Sequence, residues 1–268
     1  MNMMRFTTMK TKLRKYPSIF LILLLAISSC FLTGCVNQHP KDSKKSSQGE
    51  SVETMLEITD PKEKQAVLNA KAKVKALSGN PRIVATSPAV ADICDKLDLD
   101  LVGVPKSSVS KIPSRYKKVK KVGLAMSPDM EIVSSLNPDW ILAPSSLETD
   151  LKPKFEELKN TEYAFLNLRS VQGMYRSVQE LGEIFGKQQE AEKMTKEFTT
   201  FYKSYTKRNK NKKHPKVLVL MGLPGSYVIA TENSYVGSLV KLAGGENVYQ
   251  NTDQEFLTVN TEDMKKKE

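Results

Sequence analysis

Two histidines and three cysteines are all that the 268 residues supply of the usual catalytic and metal-binding side chains. His39 and His214 stand in polar or Lys-rich stretches, so acid–base catalysis and multi-histidine metal sites are poorly provided for. A glycine-rich phosphate loop, a nucleophile elbow and a His-Glu-x-x-His pair are all missing. The 30 Asp and Glu residues are spread along helical stretches, where carboxylates form solvated faces. No catalytic constellation emerges, and an enzyme is not expected. Aromatic residues make up only 7% of the chain and are not interleaved with a basic stripe, so the net charge of +11 does not read as a nucleic-acid surface. The positive charges gather instead near the N-terminus, at residues 207–213 and at residues 265–267. The apolar run at 19–27 is too short for a membrane span.

That run has another reading. It follows a basic stretch with Arg5, Lys10, Lys12, Arg14 and Lys15 and leads to Leu32, Thr33, Gly34 and Cys35. Small residues before a cysteine, behind a basic and then apolar leader, form a signal peptide ending in a lipobox. Such signals imply cleavage before Cys35 and a lipid on its thiol, hence palmitate-type anchoring at a membrane. Cys30 would leave with the leader, and Cys94 alone would remain, which excludes a disulfide framework. Residues 36–50 are Ser, Lys, Asn and Gln with almost nothing to bury, as expected of a flexible tether.

Beyond the tether, β-type and helical segments alternate. Asp60, Pro61 and Glu63 have the spacing of a helix start. Residues 82–86, 99–104, 140–143 and 163–166 read as strands. Ser87 and Pro88 open one helix and Ser127 and Pro128 another, which Met130, Val133 and Leu136 continue. Such strands need crossovers, so a largely parallel sheet follows, with ligand sites at its loop ends. Val171, Met174, Val178, Leu181 and Phe185 then recur at helical spacing, as do Ala191, Met194, Phe198, Phe201 and Tyr205 after Gly186. Two tandem helices, or one kinked at Gly186, would make a strut between two α/β lobes. To its right, residues 216–221 read as a single buried strand, 222–225 as a turn, 227–230 as a strand and 235–242 as a helix stopped by Gly244 and Gly245. Met126 lies in a loop between a glycine and a helix start. A thioether there is either gap-filling core or a soft ligand suited to haem iron.

From residue 82 on, the chain resembles the IsdE-type haem-binding lipoproteins, the substrate-binding components of ABC importers in Gram-positive bacteria. The resemblance is carried by Arg-Ile-Val-Ala-Thr at 82–86, Asp-Lys-Leu-Asp at 95–98 and Ser-Arg-Tyr-Lys at 114–117. Its most specific stretch is His-Pro-Lys-Val-Leu-Val-Leu-Met-Gly-Leu-Pro-Gly-Ser-Tyr at 214–227, followed by Ala-Thr-Glu-Asn-Ser-Tyr-Val-Gly and Ala-Gly-Gly-Glu-Asn-Val. The resemblance implies a two-lobed periplasmic-binding-protein-like α/β fold, with lobes joined by a long helical backbone and the ligand between them. It implies haem b as cargo, an axial methionine at Met126, and cleft contacts at Pro88, Ala89, Ser107 and Ser108. Where some members carry a tyrosine, this chain has Ser108. The family's axial histidine has no counterpart here, and His214 belongs to a different motif.

The resemblance also implies docking of a carboxylate, Glu131, on an ABC permease, with Glu262 as its counterpart in the second lobe. An internal comparison supports that pairing. Glu131 begins a helical stretch and Pro138 follows seven residues later, while Glu262 would place the matching proline beyond Glu268. The second lobe is accordingly expected to be incomplete, and haem binding by the chain as given weak. The expected organisation is a leader at 1–34, an anchor and tether at 35–59, a lead-in helix at 60–81, an N-terminal lobe at 82–169, the backbone at 170–213 and a partial C-terminal lobe at 214–268. The expected protein is a monomer at the extracellular face of a Gram-positive cell membrane. It would receive haem from upstream haem-relay surface proteins and pass it to the importer. A siderophore or cobalamin binder of the same fold, or a truncated non-functional surface lipoprotein, are the alternatives.

Overall fold

Local capping chemistry sets where most helices begin. The structure, a computed structural model, describes residues 5–6, 56–223 and 225–259. The leader apart from residues 5–6, the lipobox with Cys35, residues 36–55 and Glu262 lie outside the described residues, while Leu56, within the stretch expected as tether, is buried and belongs to the folded body. Arg5–Phe6 forms a short strand, β1. In α1 (Pro61–Lys75), the Asp60 carboxylate accepts the Lys62 N–H at 2.7 Å and Pro61 occupies the first turn. β2 (Ile83–Ala85) leads to α2 (Pro88–Lys96), capped by the Ser87 hydroxyl, which accepts the Val90 N–H at 3.3 Å. β3 (Leu101–Val104), β4 (Lys120–Lys121) and the paired strands β5 (Gly123–Leu124) and β6 (Ser127–Pro128) precede α3 (Met130–Ser135).

Here the expected cap is displaced. Ser127 and Pro128 are strand residues closing a hairpin, and the Asp129 carboxylate caps α3 by accepting the Ile132 N–H at 3.0 Å. Asp129 wins because the hairpin ladder already engages its two predecessors in extended backbone.

β7 (Trp140–Pro144), α4 (Glu148–Glu156) and β8 (Glu162–Leu166) complete a sheet of order β1-β8-β7-β2-β3-β4. All neighbours are parallel except β1, which pairs antiparallel with β8. Both faces are covered, which is why β2 and β7 are apolar throughout and not alternating. On one face Val67, Ala70, Val90, Cys94, Val178 and Leu181 are packed together. On the other, Val84, Val133, Leu151 and Phe155 form a second layer, with Phe155 stacked on Phe165 at 5.8 Å.

The expected strut is two helices, α5 (Val171–Phe185) and α6 (Gln188–Asn209). Ser170 caps the first, and Gly186 ends it at φ +70°, a left-handed conformation that glycine adopts without a Cβ penalty. Of the apolar residues read at helical spacing in α5, Val171, Val178 and Leu181 are buried, and Met174 and Phe185 are partly buried against the same core. Along α6 the corresponding residues grade from buried Ala191 to exposed Phe201.

The remaining elements are β9 (Lys216–Val217), β10 (Leu220–Leu223), β11 (Ser226–Ala230), α7 (Tyr235–Leu242), β12 (Glu246–Asn247) and β13 (Phe256–Leu257). The single buried strand expected at 216–221 is instead two short ones that join different sheets. β9 pairs parallel with β12, whereas β10, β11 and β13 are antiparallel. Leu218, Leu220 and Met221 are exposed; Leu220 and Met221, as neighbours in one strand, point to opposite faces, so the apolar run is not a core strand. The turn expected at 222–225 is also narrower, because β10 continues to Leu223 opposite Ser226.

Candidate functional site

Parallel strands end at a common edge, and the chain order picks out one point on it. From β2 the sheet grows to one side through β3 and β4, then returns to the other through β7 and β8. Loops diverge where the order reverses, which leaves a crevice at the C-terminal end of β2. Thr86 anchors that end through its N–H and hydroxyl, which both donate to the Leu142 carbonyl at 3.0 and 3.3 Å. Pro88 is half-buried and Ala89 exposed in the first turn of α2, immediately beyond it. In that turn Pro88 has no N–H, and Ser87 takes the Val90 N–H on its hydroxyl and the Ala91 N–H on its carbonyl, which leaves the Ala89 N–H as the helix-start donor.

Ser107 and Ser108 follow β3 along the same edge, half-buried and exposed respectively. The Ser107 hydroxyl accepts the Ser110 N–H at 3.0 Å, which shapes the loop. One residue earlier, the Lys106 N–H donates to the Gly123 carbonyl at 2.7 Å and ties this loop to the base of the β5–β6 hairpin. At the tip of the hairpin, between Leu124 and Ser127, stands Met126. Its side chain is 73% exposed, which removes the gap-filling alternative and leaves a thioether presented to solvent. The hairpin base is rigid: Gly123 has φ +94°, and the Asp129 N–H donates to the Val122 carbonyl at 2.8 Å. Val109, Leu124 and Met126 together make this rim apolar and exposed.

The structure also joins Ala89, expected at the cleft, to residues that the sequence had shown only as apolar helix positions or not at all. A groove of about 420 Å³ is lined by Ala89, Ile93, Leu168, Met174, Met194 and Tyr235, with Asp92 and Lys96 at its mouth. Burial raises the Asp92 carboxyl above its ordinary range and the like charge of Asp95 adds to it, while Lys96 opposes. Burial likewise raises the Tyr175 phenol, with Tyr235 contributing. Beyond Leu168 lies a polar cleft of about 590 Å³ lined by Asn167, Arg169, Ser234 and Lys241 among others. Between the two spaces, the N-terminus of α5 meets α7, where the Val171 N–H donates to the Ser238 hydroxyl at 3.1 Å. Arg169 pairs with Glu255 across the same junction. The caps Ser170 and Ser234 were the legible signal for these helix starts; the loop 167–169 carried none.

Glu131 is exposed in the first turn of α3, outside the crevice. His214 holds the Gly244 carbonyl through Nδ1 at 2.7 Å and takes part in the β9–β12 region instead of the crevice. Among the described residues, no three His, Cys, Asp or Glu side chains converge to hold a bare metal ion, and no helix is long and apolar enough to cross a membrane.

Residues 83–268 match the family described as Periplasmic binding protein. The chain is 41% identical over 188 residues to the high-affinity heme uptake system protein IsdE of Staphylococcus aureus, a match covering 70% of this chain and 64% of that protein. The match thus spans less than two thirds of the curated relative's length. Among solved structures, an ABC transporter substrate-binding protein from Listeria monocytogenes EGD-e is similar at 45% identity and a TM-score of 0.65, covering 70% of this chain and 72% of that one. S. aureus IsdE complexed with heme is similar at 40% identity and a TM-score of 0.63, covering 69% and 71%.

Proposed function

Because the chain belongs to the periplasmic binding protein family, we propose that it is a haem-binding lipoprotein that hands its cargo to the permease of an ABC importer. The observation that carries this reading is Met126, an exposed thioether on a rigidly based hairpin beside the crevice at the sheet's C-terminal edge. A thioether is a soft ligand for haem iron, and the apolar rim of Val109 and Leu124 suits a porphyrin better than a hydrophilic chelate. The similarity to S. aureus IsdE, solved in complex with heme, points the same way.

In this reading the Met126 sulfur donates a lone pair to the iron of the bound haem. Pro88 and Ala89, with Ser107 and Ser108, line the crevice; the Ala89 N–H and the two serine hydroxyls face the polar edge of the ligand, while Pro88, which has no N–H, offers only apolar surface. Axial ligation breaks no covalent bond of the ligand, and the proposed role is carriage, not catalysis. Cys35 carries the lipid that keeps the protein at the outer face of a Gram-positive cell membrane, and the protein works as a monomer that haem-relay surface proteins load. Glu131, with Glu262, contacts basic residues of the permease. Replacing Cys35 by Ser should release the protein from the membrane fraction, and unchanged lipid labelling would contradict the anchor.

The ligand is tested by equilibrium binding of haem, cobalamin and a ferric siderophore to the same preparation. Saturable binding of haem alone is expected. Tighter binding of cobalamin or the siderophore would assign the crevice to that ligand, and no saturable binding in a cooperatively folded chain would favour a surface lipoprotein without transport function.

A further inference from the structure

Away from the crevice, α1 lies against α5 with two carboxylates in the interface. Glu180 is fully buried and Glu63 nearly so, among Val67, Ala70, Val178 and Leu181. Neither oxygen of Glu180 has an N–H or O–H donor from a neutral or cationic side chain or from the backbone. The group that faces it is the Glu63 carboxyl. A buried carboxylate without a donor is costly, and two ionised carboxylates facing each other are more so. One proton held between them removes both costs, because the protonated oxygen becomes the donor that the site lacks.

We propose that Glu63 and Glu180 form a proton-sharing carboxyl latch that clips α1 to α5 and loosens as pH rises. Charged neighbours do not replace the proton. Arg176, one turn before Glu180 on α5, is the cation that acts on it, yet no ion pair joins them and the Arg176 Nε is itself buried without a partner. The other charges between α1 and its neighbours are already engaged: Lys71 with Glu183 at 2.6 Å and Lys73 with Glu162 at 2.5 Å. From α6, Gln188 reaches Glu183 and not Glu180. Among the described residues, no charged group of α6, α7 or β8 acts on Glu180.

The direction of the response follows from burial. Desolvation, helped by Glu63 and opposed by Arg176, pushes the Glu180 carboxyl from an ordinary 4.5 up to about 10. A carboxyl raised in the folded state contributes its full stability below its unfolded value and loses it as pH climbs toward the folded one. The latch is therefore tightest in acid and weakens steadily through neutral into alkaline solution.

Hydrogen exchange of the α1 amides, corrected for intrinsic rates, reads the latch in the intact chain. Protection of α1 is expected to fall by up to about tenfold per pH unit between about pH 6 and pH 9, while α4 on the opposite sheet face stays level. Glu180→Gln keeps a donor against Glu63 without titrating and should flatten the slope; Glu63→Gln serves as the second variant. A slope in α1 no steeper than in α4, or the native slope retained in either Gln variant, would overturn the latch.

Discussion

At the scale of single residues, Met126 and Gly123 depend on each other. The thioether is exposed and touches no core, so it is held only by the hairpin beneath it. The base of that hairpin is Gly123, where φ is +94° and an added Cβ would sit 2.9 Å from the Asp129 nitrogen. Gly123→Ala is expected to cost about 1–3 kcal/mol of backbone strain and to shift the hairpin. Denaturant midpoints and haem affinity should fall together, and an unchanged affinity would show that the hairpin does not position the ligand. The sequence displayed Met126 but not its exposure. A two-residue ladder has no periodicity to read, and serine followed by proline has the look of a helix start. The buried pair Glu63 and Glu180 was hidden for a related reason: Glu63 had the spacing of a capping-box residue, and only the packing of α1 on α5 shows where its carboxyl goes.

Elements divide by how much of their stabilisation is local. The strut helices α5 and α6 were legible because a buried stripe at 3.6 spacing has one explanation, and Gly186 marks the break with a left-handed residue. The core strands β2, β7 and β8 were legible as apolar runs between turn residues. Residues 216–221 had the same look and failed, because an apolar run cannot say whether other elements will cover it; Leu218, Leu220 and Met221 are left exposed. The ion pairs of Arg115 with Asp98 and Asp100, and of Lys187 with Asp98, link the loop after β3 to the α5–α6 junction across distant sequence, and no local pattern announces them. At α3, Glu131 favours the helix start by about 0.3–1 kcal/mol, so Glu131→Lys should leave the fold standing. If this helix docks on a basic permease surface, the charge reversal should reduce haem uptake by cells severalfold while haem binding in solution stays the same. Equal uptake would leave Glu131 with the helix-start role alone.

For the whole molecule, a parallel sheet covered on both faces leaves one edge for ligand, and the chain order fixes the crevice at β2. Pro88 and Ala89 follow β2, Ser107 and Ser108 follow β3, and Met126 stands on the separate β5–β6 hairpin beyond β4. The groove lined by Met174, Met194 and Tyr235 was not legible, since it needs α2, α5, α6 and α7 to meet. The most direct test of haem ligation by Met126 is a Soret titration of the chain beside Met126→Ala, with far-ultraviolet circular dichroism on both. The exposed substitution should leave the fold intact while affinity drops by at least about tenfold, equivalent to about 1.4 kcal/mol, and the spectral signature of thioether ligation disappears. Superimposable titrations and spectra for the two proteins would contradict it.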